Sequence, residues 1–403
     1  MSAGRYAQIT GWGMCVPDHV VTNEDLACTV ETTDDWIYSH TGIRQRCVAQ
    51  GERDTTASLA TRAGRNALLV ADLMPSQLDL VIVATVTPEY AFPATACCVQ
   101  DALGASKAGA FDLSAGCSGF LYGLSLATHL IRSGEANHIL IIGSETLSRI
   151  TDWKDRNTCI LFGDGAGAVV MSACPQPCGI MATVLGSDGS GRDALVLPAG
   201  GSHCPPSIQT VSNGDHFIKM NGREVFRFAS TIIPKATEDV VARAGWRASD
   251  VALVVPHQAN ARIIEAAAKR LNLPMEKFLV NIDRYGNTSS ASIPIALCEA
   301  IDANRIRAGD KLVLVGFGAG LTWAAAAIEW GMPMPLKPQS APRRLLANAR
   351  FGYATLRSLV TRAFHRAYNG VLGPEGQENW RGHLRERVDR WRHAHITPRH
   401  KKE

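Results

Sequence analysis

The chain has 403 residues, of which 46% are hydrophobic and 19% charged, with 41 Lys and Arg against 37 Asp and Glu. These proportions are typical of a globular protein large enough for two or three domains or one duplicated α/β body. Apolar runs are too short to span a membrane and the N-terminus lacks a secretory leader, so we expect a cytoplasmic protein.

Strands and helices are predicted to alternate up to about Trp330. Short β-branched runs indicate buried strands, and the stretches between them show helical spacing of apolar residues. The predicted strands are Leu80–Val86, His138–Gly143, Val251–Val255 and Lys311–Val315, and the predicted helices are Thr56–Leu73, Ser118–Ile131, Glu224–Ala244, Ala261–Leu271 and Ser290–Ala303. This alternation predicts an α/β fold with mostly parallel sheets covered by helices.

The sequence also repeats itself at an offset of about 170 residues. Gly116-Cys117-Ser118, a helix, IRSG and the strand HILIIG match Gly286-Asn287-Thr288, a helix, IRAG and the strand KLVLVG. We therefore predict two pseudo-symmetric halves, residues 1–174 and 175–331. Because ligands bind at the carboxyl ends of strands in such sheets, the turns that carry Cys117, His257 and Asn287 are expected to share one crevice.

A Pro-rich linker, residues 332–342, is predicted to precede a basic helical extension, residues 343–403. Residues 341–403 contain 14 Lys and Arg but only 5 Asp and Glu, whereas the rest of the chain is mildly acidic. Such a segment can bind an acidic partner, an anionic membrane surface or RNA, or it can pack as a solvated helix against the body. We keep an acidic partner and a membrane surface as candidates and expect no nucleic acid.

The eleven cysteines are odd in number and form no regular framework, which also indicates a reducing compartment. The spacings that resemble a metal site are Cys97-Cys98 and Cys174-Pro-Gln-Pro-Cys178. Neither is followed by a second Cys or His pair, so we expect no metal. The glycine-rich runs GFGAGL and FGDGAGA lack the spacing of a dinucleotide site and are interpreted as tight turns.

Three residues are candidates for catalysis. Cys117, in FDLSAGCSGFLYGL, is predicted to start a helix, where the backbone N–H groups would lower its pKa and make it a nucleophile. His257, in VVPHQANARI, can donate a hydrogen bond or act as acid or base, just before a helix capped by Asn260. Asn287 lies in GNTSSASIP. Taken singly, each has a structural alternative as a packed cysteine, a satisfied histidine or a turn residue.

In combination these residues resemble the ketoacyl synthase III branch of the thiolase-fold condensing enzymes, from about Arg5 to Gly331. The motifs that carry the resemblance are DDWIYSHTGIRQR (34–46), AFPATAC (91–97), AGCSGF (115–120), DRNTCILFGDGAGAVV (155–170), PHQANARI (256–263), GNTSSASIP (286–294) and GFGAGLTW (316–323). The resemblance implies a homodimer with a layered α/β/α/β/α thiolase-like fold.

It further implies that Cys117, His257 and Asn287 condense a short acyl-CoA, such as acetyl-CoA, with malonyl-acyl carrier protein and release CO2, without a metal or redox cofactor. The backbone N–H groups of Cys117 and Ala319 would form the oxyanion hole. Asn287 also separates this branch from its relatives, because elongating synthases would have a second His, biosynthetic thiolases a second Cys and hydroxymethylglutaryl-CoA synthases a catalytic Glu.

Substrate contacts are implied by the same resemblance. Trp36 would stack on the CoA adenine with Arg156 on its other face, and His40 replaces a frequent Arg. Phe92 would reach across the dimer to close the partner's acyl pocket, while Met220 and Phe226 would line the pantetheine channel. The positions expected to meet the acidic carrier protein are Arg227, Arg262, Lys269 and Arg270.

Two alternatives stay open at this point. The same residues could use a branched, aromatic or dicarboxylic starter for a specialised metabolite or a biotin precursor. Alternatively, the chain could be a non-catalytic binding or scaffold protein.

Overall fold

The computed structural model describes residues 4–332 and, in the C-terminal extension, residues 349, 352, 353, 356, 360, 361, 363 and 364. The chain separates into two compact units, Met1–Ala347 and Asn348–Glu403. The first unit contains all the strands given below.

The first half of the body contains the elements that end at Cys174. In chain order they are β1 (Tyr6–Cys15), β2 (Val20–Thr22), α1 (Asn23–Ala27), α2 (Asp34–Thr41), β3 (Gln45–Cys47), α3 (Thr56–Ala71), β4 (Leu80–Ala84), α4 (Thr95–Leu103), β5 (Gly109–Leu113), α5 (Gly119–Ser133), β6 (His138–Glu145), α6 (Arg156–Cys159) and β7 (Gly165–Cys174).

The second half begins at Gly179. Its elements are β8 (Gly179–Ser187), β9 (Leu195–Val196), α7 (Ile208–Ser212), β10 (Lys219–Met220), α8 (Gly222–Arg243), β11 (Leu253–Pro256), α9 (Ala261–Leu271), α10 (Ile282–Tyr285), α11 (Ser292–Asp302), β12 (Lys311–Gly318) and β13 (Thr322–Glu329). The division proposed at residue 174 falls in the turn between β7 and β8.

Two sheets form the centre of the body, with strand orders β1-β7-β6-β4-β5 and β11-β12-β13-β8. The α/β architecture agrees with the prediction, but the sheets are mixed rather than mostly parallel. Parallel pairing is confined to β5-β4-β6 and β11-β12, while β1, β7, β8 and β13 pair antiparallel. The reason is clearest at β12 and β13, because a connection of only residues 319–321 permits no parallel return.

The helices form three layers around these sheets. Helices α5 and α11 contact strands of both sheets, α3 and α4 pack on the first sheet, and α8 packs on the second beside α9. The central layer is apolar because Phe120, Leu124, Ile293 and Leu297 are buried in one cluster with residues of both sheets. Each such side chain stabilises the fold by about 1.5–3 kcal/mol on burial. The result is a five-layered α/β/α/β/α arrangement.

The two halves are in close contact at Gly143 in β6. A Cβ atom built on Gly143 would lie 2.2 Å from the carbonyl oxygen of Ser290, so only glycine allows this contact. Ser290 follows Asn287 by three residues. The close approach therefore sets the turn that carries Asn287 directly against the first sheet.

In the extension, the described residues are helical, and Tyr353, Leu356, Val360 and Phe364 are exposed. Apart from Met332, the predicted linker 332–342 lies outside the described residues. Within the part of the chain that is described, no helix is both long and apolar enough to cross a bilayer.

Candidate active site

Cys117 lies in the loop between β5 and α5, two residues before the helix begins. Strand β5 ends at Leu113, Ser118 is the N-cap residue, and α5 begins at Gly119. The cysteine is only 8% exposed. Burial raises the pKa of its thiol to about 12, so the lowered pKa expected from the helix N-terminus is wrong for the free protein. Desolvation of the sulfur outweighs the helix dipole here.

His257 follows β11 and is almost completely buried. Its Nδ1 lies 2.6 Å from Oγ of Ser292, whereas its Nε2 has no hydrogen-bond partner. Burial lowers the pKa of the imidazole to about 3, so the ring is neutral at neutral pH. The next helix, α9, is capped as predicted, because Oδ1 of Asn260 accepts the N–H of Arg262 at 2.9 Å.

Asn287 is held by three hydrogen bonds at the turn after α10. Its N–H donates to the carbonyl of Leu161 at 2.8 Å, and its own carbonyl accepts the N–H of Gly163 at 3.0 Å. Its side-chain Oδ1 accepts the N–H of Ser289 at 2.8 Å. This last bond fixes the carboxamide and leaves its NH2 group as the part available to a ligand.

These three residues line one cavity of about 200 Å³. Its walls are mostly apolar and come from both halves of the body: Leu161, Phe162, Leu195, Met220, Val225, Phe226, Ala259, Ile263, Phe317 and Leu321. A thiol, a neutral imidazole and a carboxamide therefore meet in a small, largely apolar space. In such surroundings a hydrogen bond to a developing negative charge is stronger than in water.

Two glycine-containing turns meet beside the cysteine. A Cβ atom on Gly318 would lie 2.3 Å from the backbone N of Cys117, and one on Gly116 would lie 2.6 Å from the backbone N of Ala319. Gly116 has φ of +55°, whereas Ala319 does not have a positive φ. The Cβ of Ala319 is therefore compatible with the turn.

The residues expected to bind the CoA nucleotide lie together outside this cavity's lining. The guanidinium of Arg156 is 4.9 Å from the centre of the Trp36 ring. His40 also contacts Trp36, with ring centres 4.4 Å apart and an angle of 25° between the planes. With these two neighbours, the Trp36 side chain is half-buried.

The other predicted contact residues divide into two groups. Met220 and Phe226 line the cavity, and the exposed Arg262 lies over the Phe226 ring at 5.7 Å. Arg227, Lys269 and Arg270 are exposed on α8 and α9. Phe92, 88% exposed in the loop before α4, is not part of the cavity wall.

Sequence reasoning missed Ser292, the partner of His257, and Glu145, a buried carboxylate close to Asn287. A signal for Ser292 was present, since TSSAS places hydroxyl residues at 288–290 and 292 before an apolar helix. Hydroxyl groups at such positions indicate a polar partner nearby. In the described portion of the chain, no group of three or more His, Cys, Asp and Glu is arranged to hold a metal ion.

Comparison with known proteins gives one consistent result. The family model described as 3-oxoacyl-[acyl-carrier-protein] synthase III matches residues 111–189, and the model of its C-terminal region matches residues 241–330. A curated protein of Roseiflexus sp. strain RS-1, named beta-ketoacyl-[acyl-carrier-protein] synthase III, is 51% identical over 326 residues, which are 81% of this chain and 99% of the relative.

A relative of the same name from Symbiobacterium thermophilum is 52% identical over 327 residues, 81% of this chain and 99% of its own length. Among solved structures, the 3-oxoacyl-[acyl-carrier-protein] synthase III of Aquifex aeolicus VF5 superposes with a TM-score of 0.75 at 44% identity. It covers 80% of this chain and 100% of that protein. The similarity thus extends over the body and leaves the C-terminal extension unmatched.

Proposed function

Because the chain belongs to the 3-oxoacyl-[acyl-carrier-protein] synthase III family, we propose that it condenses a short acyl-CoA with malonyl-acyl carrier protein. The products are 3-oxoacyl-acyl carrier protein, CoA and CO2, and the reaction initiates fatty-acid synthesis. The single observation that carries this proposal is the convergence of Cys117, His257 and Asn287 on one apolar cavity. The chain is accordingly an acyl-transferring enzyme rather than a scaffold.

In the first half-reaction, the sulfur of Cys117 attacks the thioester carbonyl of the acyl-CoA. A thioester forms on Cys117, the bond to the CoA sulfur breaks, and the thiol proton ends on CoA. With a pKa of about 12, the thiol is protonated until the substrate is bound. The proton is therefore lost during acyl transfer and not beforehand.

The backbone N–H groups of Cys117 and Ala319 hold the oxyanion that develops in this step. Support comes from the contact between their turns, since the backbone N of each residue lies against a glycine of the opposite turn. Two backbone donors placed in this way stabilise a tetrahedral intermediate.

In the second half-reaction, malonyl-acyl carrier protein loses CO2 and leaves an enolate. Nε2 of His257 and the amide NH2 of Asn287 donate hydrogen bonds to the enolate oxygen. The low pKa of His257 supports this role, because a neutral ring does not protonate the enolate carbon. The enolate carbon then attacks the acyl group on Cys117, and the Cys117 sulfur leaves as a thiolate that takes up one proton from solvent. Loss of CO2 drives carbon–carbon bond formation, so the chemistry calls for no metal or redox cofactor.

The predicted contact residues bind two parts of CoA, the adenine and the pantetheine arm. Trp36 and Arg156 bind the adenine by stacking, and Met220 and Phe226 line the channel for pantetheine. His40, which contacts the Trp36 ring, stands where the family often has Arg. The CoA phosphates therefore lose one permanent positive charge at this position.

The acidic carrier protein binds the exposed basic residues of α8 and α9, namely Arg227, Arg262, Lys269 and Arg270. Arg262 connects this surface to the cavity because its guanidinium lies over Phe226, a wall residue. Complementary charge raises the rate of encounter more than the affinity.

Assembly and location complete the proposal. The functional unit is a homodimer in the cytoplasm, in which Phe92 inserts into the partner's acyl pocket; its 88% exposure in the single chain supports an intersubunit role. The basic extension binds an acidic partner or an anionic membrane surface.

The starter is a short acyl group, acetyl in the simplest case. A cavity of about 200 Å³ is smaller than the roughly 300–1,000 Å³ of sites for drug-sized ligands, which disfavours aromatic starters. The experiment is to offer an equimolar mixture of acetyl-, isobutyryl-, benzoyl- and succinyl-CoA and to identify the acyl group on Cys117 by mass spectrometry. Predominance of the acetyl group supports the proposal. Predominance of another acyl group would show that acetyl-CoA is not the preferred starter.

A further inference from the structure

Glu145 is a carboxylate with no exposed surface at the end of β6. It does not line the cavity, and nothing in the reaction described above uses it. Burial of an ionisable group without compensation is costly, so its hydrogen-bond partners decide what it does. Those partners come from both halves of the body.

The first half contributes the segment that follows β4. The hydroxyl of Thr87 donates to Oε2 of Glu145 at 2.7 Å, and the hydroxyl of Thr85 donates at 3.2 Å. The backbone N–H groups of Val86 and Thr87 add bonds of 3.1 and 3.2 Å to the same oxygen. This oxygen is therefore fixed to the segment at the carboxyl end of β4.

The second half contributes the turn immediately after Asn287. The hydroxyl of Ser289 donates to Oε1 of Glu145 at 3.0 Å, and the hydroxyl of Ser290 lies 2.8 Å from the same atom. Burial raises the pKa of Glu145, while the hydrogen bonds from Thr87, Ser290, Val86 and Ser289 act against burial by favouring the ionised carboxylate. Glu145 thus joins the first sheet to the turn that carries Asn287.

Ser289 has a backbone conformation that needs such support. Its φ is +48°, in the left-handed region that side chains with a Cβ rarely adopt. Strained residues of this kind persist only when the surroundings hold them. The same residue donates its backbone N–H to Oδ1 of Asn287 at 2.8 Å. A change in the conformation of Ser289 would therefore release the Asn287 carboxamide.

We propose that Glu145 is a positioning residue for decarboxylation: it holds Ser289 in the left-handed conformation that orients the Asn287 carboxamide toward the enolate. The inference rests on the proposed function, because it assigns Asn287 to the second half-reaction. Glu145 touches neither substrate nor the reacting atoms. Its effect on the Asn287 carboxamide is transmitted through Ser289.

This role predicts unequal effects on the two half-reactions. Acyl transfer to Cys117 uses the cysteine and two backbone N–H groups, whereas decarboxylation uses Asn287. Burial is the largest cause of the raised pKa of the Cys117 thiol; the Ser289 hydroxyl lowers this pKa, and the charge of Glu145 raises it by less than burial does. A purely structural role for Glu145 would instead slow both half-reactions together.

The test uses full-length Glu145→Gln. This substitution keeps the size of the side chain but replaces one hydrogen-bond-accepting carboxylate oxygen by a donating NH2 group. Acyl transfer is measured by mass spectrometry of Cys117 with acetyl-CoA, and decarboxylation by CO2 release from malonyl-acyl carrier protein. We expect decarboxylation to fall about 100-fold, the cost of a misplaced group, and acyl transfer to change by less than about 3-fold. Glu145→Asp keeps the charge and should recover part of the lost decarboxylation.

The matched control is Asp79→Asn, just before β4, which bonds to the end of β6 opposite Glu145. Asp79 accepts the N–H groups of Asn137 and His138 where β6 begins, so it is a second carboxylate that supports backbone, but far from Asn287. Its variant should alter neither half-reaction by more than about 3-fold.

If Glu145→Gln does not fold, Ser290→Ala serves in its place, since it removes a hydroxyl bond to Glu145 and leaves Ser289, whose hydroxyl also bonds the Cys117 sulfur, unchanged. The same selective loss of decarboxylation is expected. Equal losses in both half-reactions, or none in either, would overturn the inference while leaving the proposed function in place. A wild-type enzyme that releases no CO2 would overturn both.

Discussion

Nδ1 of His257 lies 2.6 Å from Oγ of Ser292, at the first residue of α11. The same hydroxyl oxygen is within 3.4 Å of the N–H of Gln258, which can only donate. We assign the hydroxyl hydrogen to Nδ1 and the ring proton to Nε2, the arrangement in which the second acceptor site of the oxygen stays with Gln258. This tautomer presents a neutral donor to the cavity, as stabilisation of an enolate requires.

Removal of this hydroxyl tests the assigned tautomer. In Ser292→Ala, the proton of His257 is no longer held on Nε2, and a fraction of the rings present an acceptor to the enolate. We expect CO2 release to fall about 10-fold, the value of one hydrogen bond of about 1.4 kcal/mol. Acylation of Cys117 should stay within about 2-fold, because it does not use the imidazole.

The control for this variant is Ser133→Ala at the exposed end of α5, whose hydroxyl bonds only to the carbonyl of Leu130. It should behave as wild type in both assays. If Ser292→Ala released CO2 at the wild-type rate, the assigned tautomer would be refuted.

The thiol of Cys117 provides a prediction on pH. Because burial raises its pKa to about 12, its alkylation rate in the free enzyme should keep rising up to pH 10. An ordinary cysteine, with a pKa of about 8.5, reaches a plateau before that. The measurement is the rate of iodoacetamide addition to the Cys117 peptide by mass spectrometry, since the chain has eleven cysteines. A plateau below pH 9 would show that the helix N-terminus prevails over burial.

His257 makes the fold sensitive to acid. Its pKa is lowered to about 3 in the folded protein, whereas an unfolded chain binds this proton near pH 6.5. As the pH falls from 6.5 toward 3, the unfolded state gains a proton that the folded state does not, so stability is lost. By pH 4 this loss is on the order of 3 kcal/mol.

His257→Gln removes the titrating group, and its urea midpoint should decline less than that of wild type between pH 7 and pH 4. Parallel decline of the two proteins would mean that the imidazole is protonated in the folded state or exposed to solvent.

Much of the body was predictable from the sequence because local pattern and local structure agree. Helix α9 was predicted at its observed bounds, Ala261–Leu271, and its Asn260 cap is confirmed. The predicted start of α5 at Ser118 differs by one residue from the observed Gly119. The strand predicted as Lys311–Val315 in fact extends to Gly318. Its last three residues, GFG, were not predicted because they lack the β-branched residues that mark strands.

What the sequence did not reveal depends on contacts distant in the chain. Glu145 ends a strand that was predicted only to Gly143, and its partners lie 58–60 residues before it and 144–145 residues after it. The pKa of Cys117 was predicted in the wrong direction for the same reason. Its helix N-terminus is local, but the desolvation that outweighs it comes from elements of both halves.

The basic extension is predicted to be dispensable for catalysis. The cavity residues all lie between Cys117 and Leu321, and the curated relatives are matched over nearly their full length without the extension. A chain that ends near Pro338 should keep the wild-type kcat within about 2-fold. Loss of activity in a truncated protein with a native circular dichroism spectrum would assign the extension a part in the reaction.

The most direct measurement is the rate of CO2 release coupled to 3-oxoacyl-acyl carrier protein formation, compared between wild type and Cys117→Ser. A serine hydroxyl is a far weaker nucleophile than a thiol, and no residue assigned to the site acts as a base to activate it. The variant should therefore form no acyl-enzyme from acetyl-CoA and no condensation product. Wild-type enzyme should form both, with the acyl group on Cys117. Normal product from Cys117→Ser, or an acyl group carried by another residue, would contradict the account.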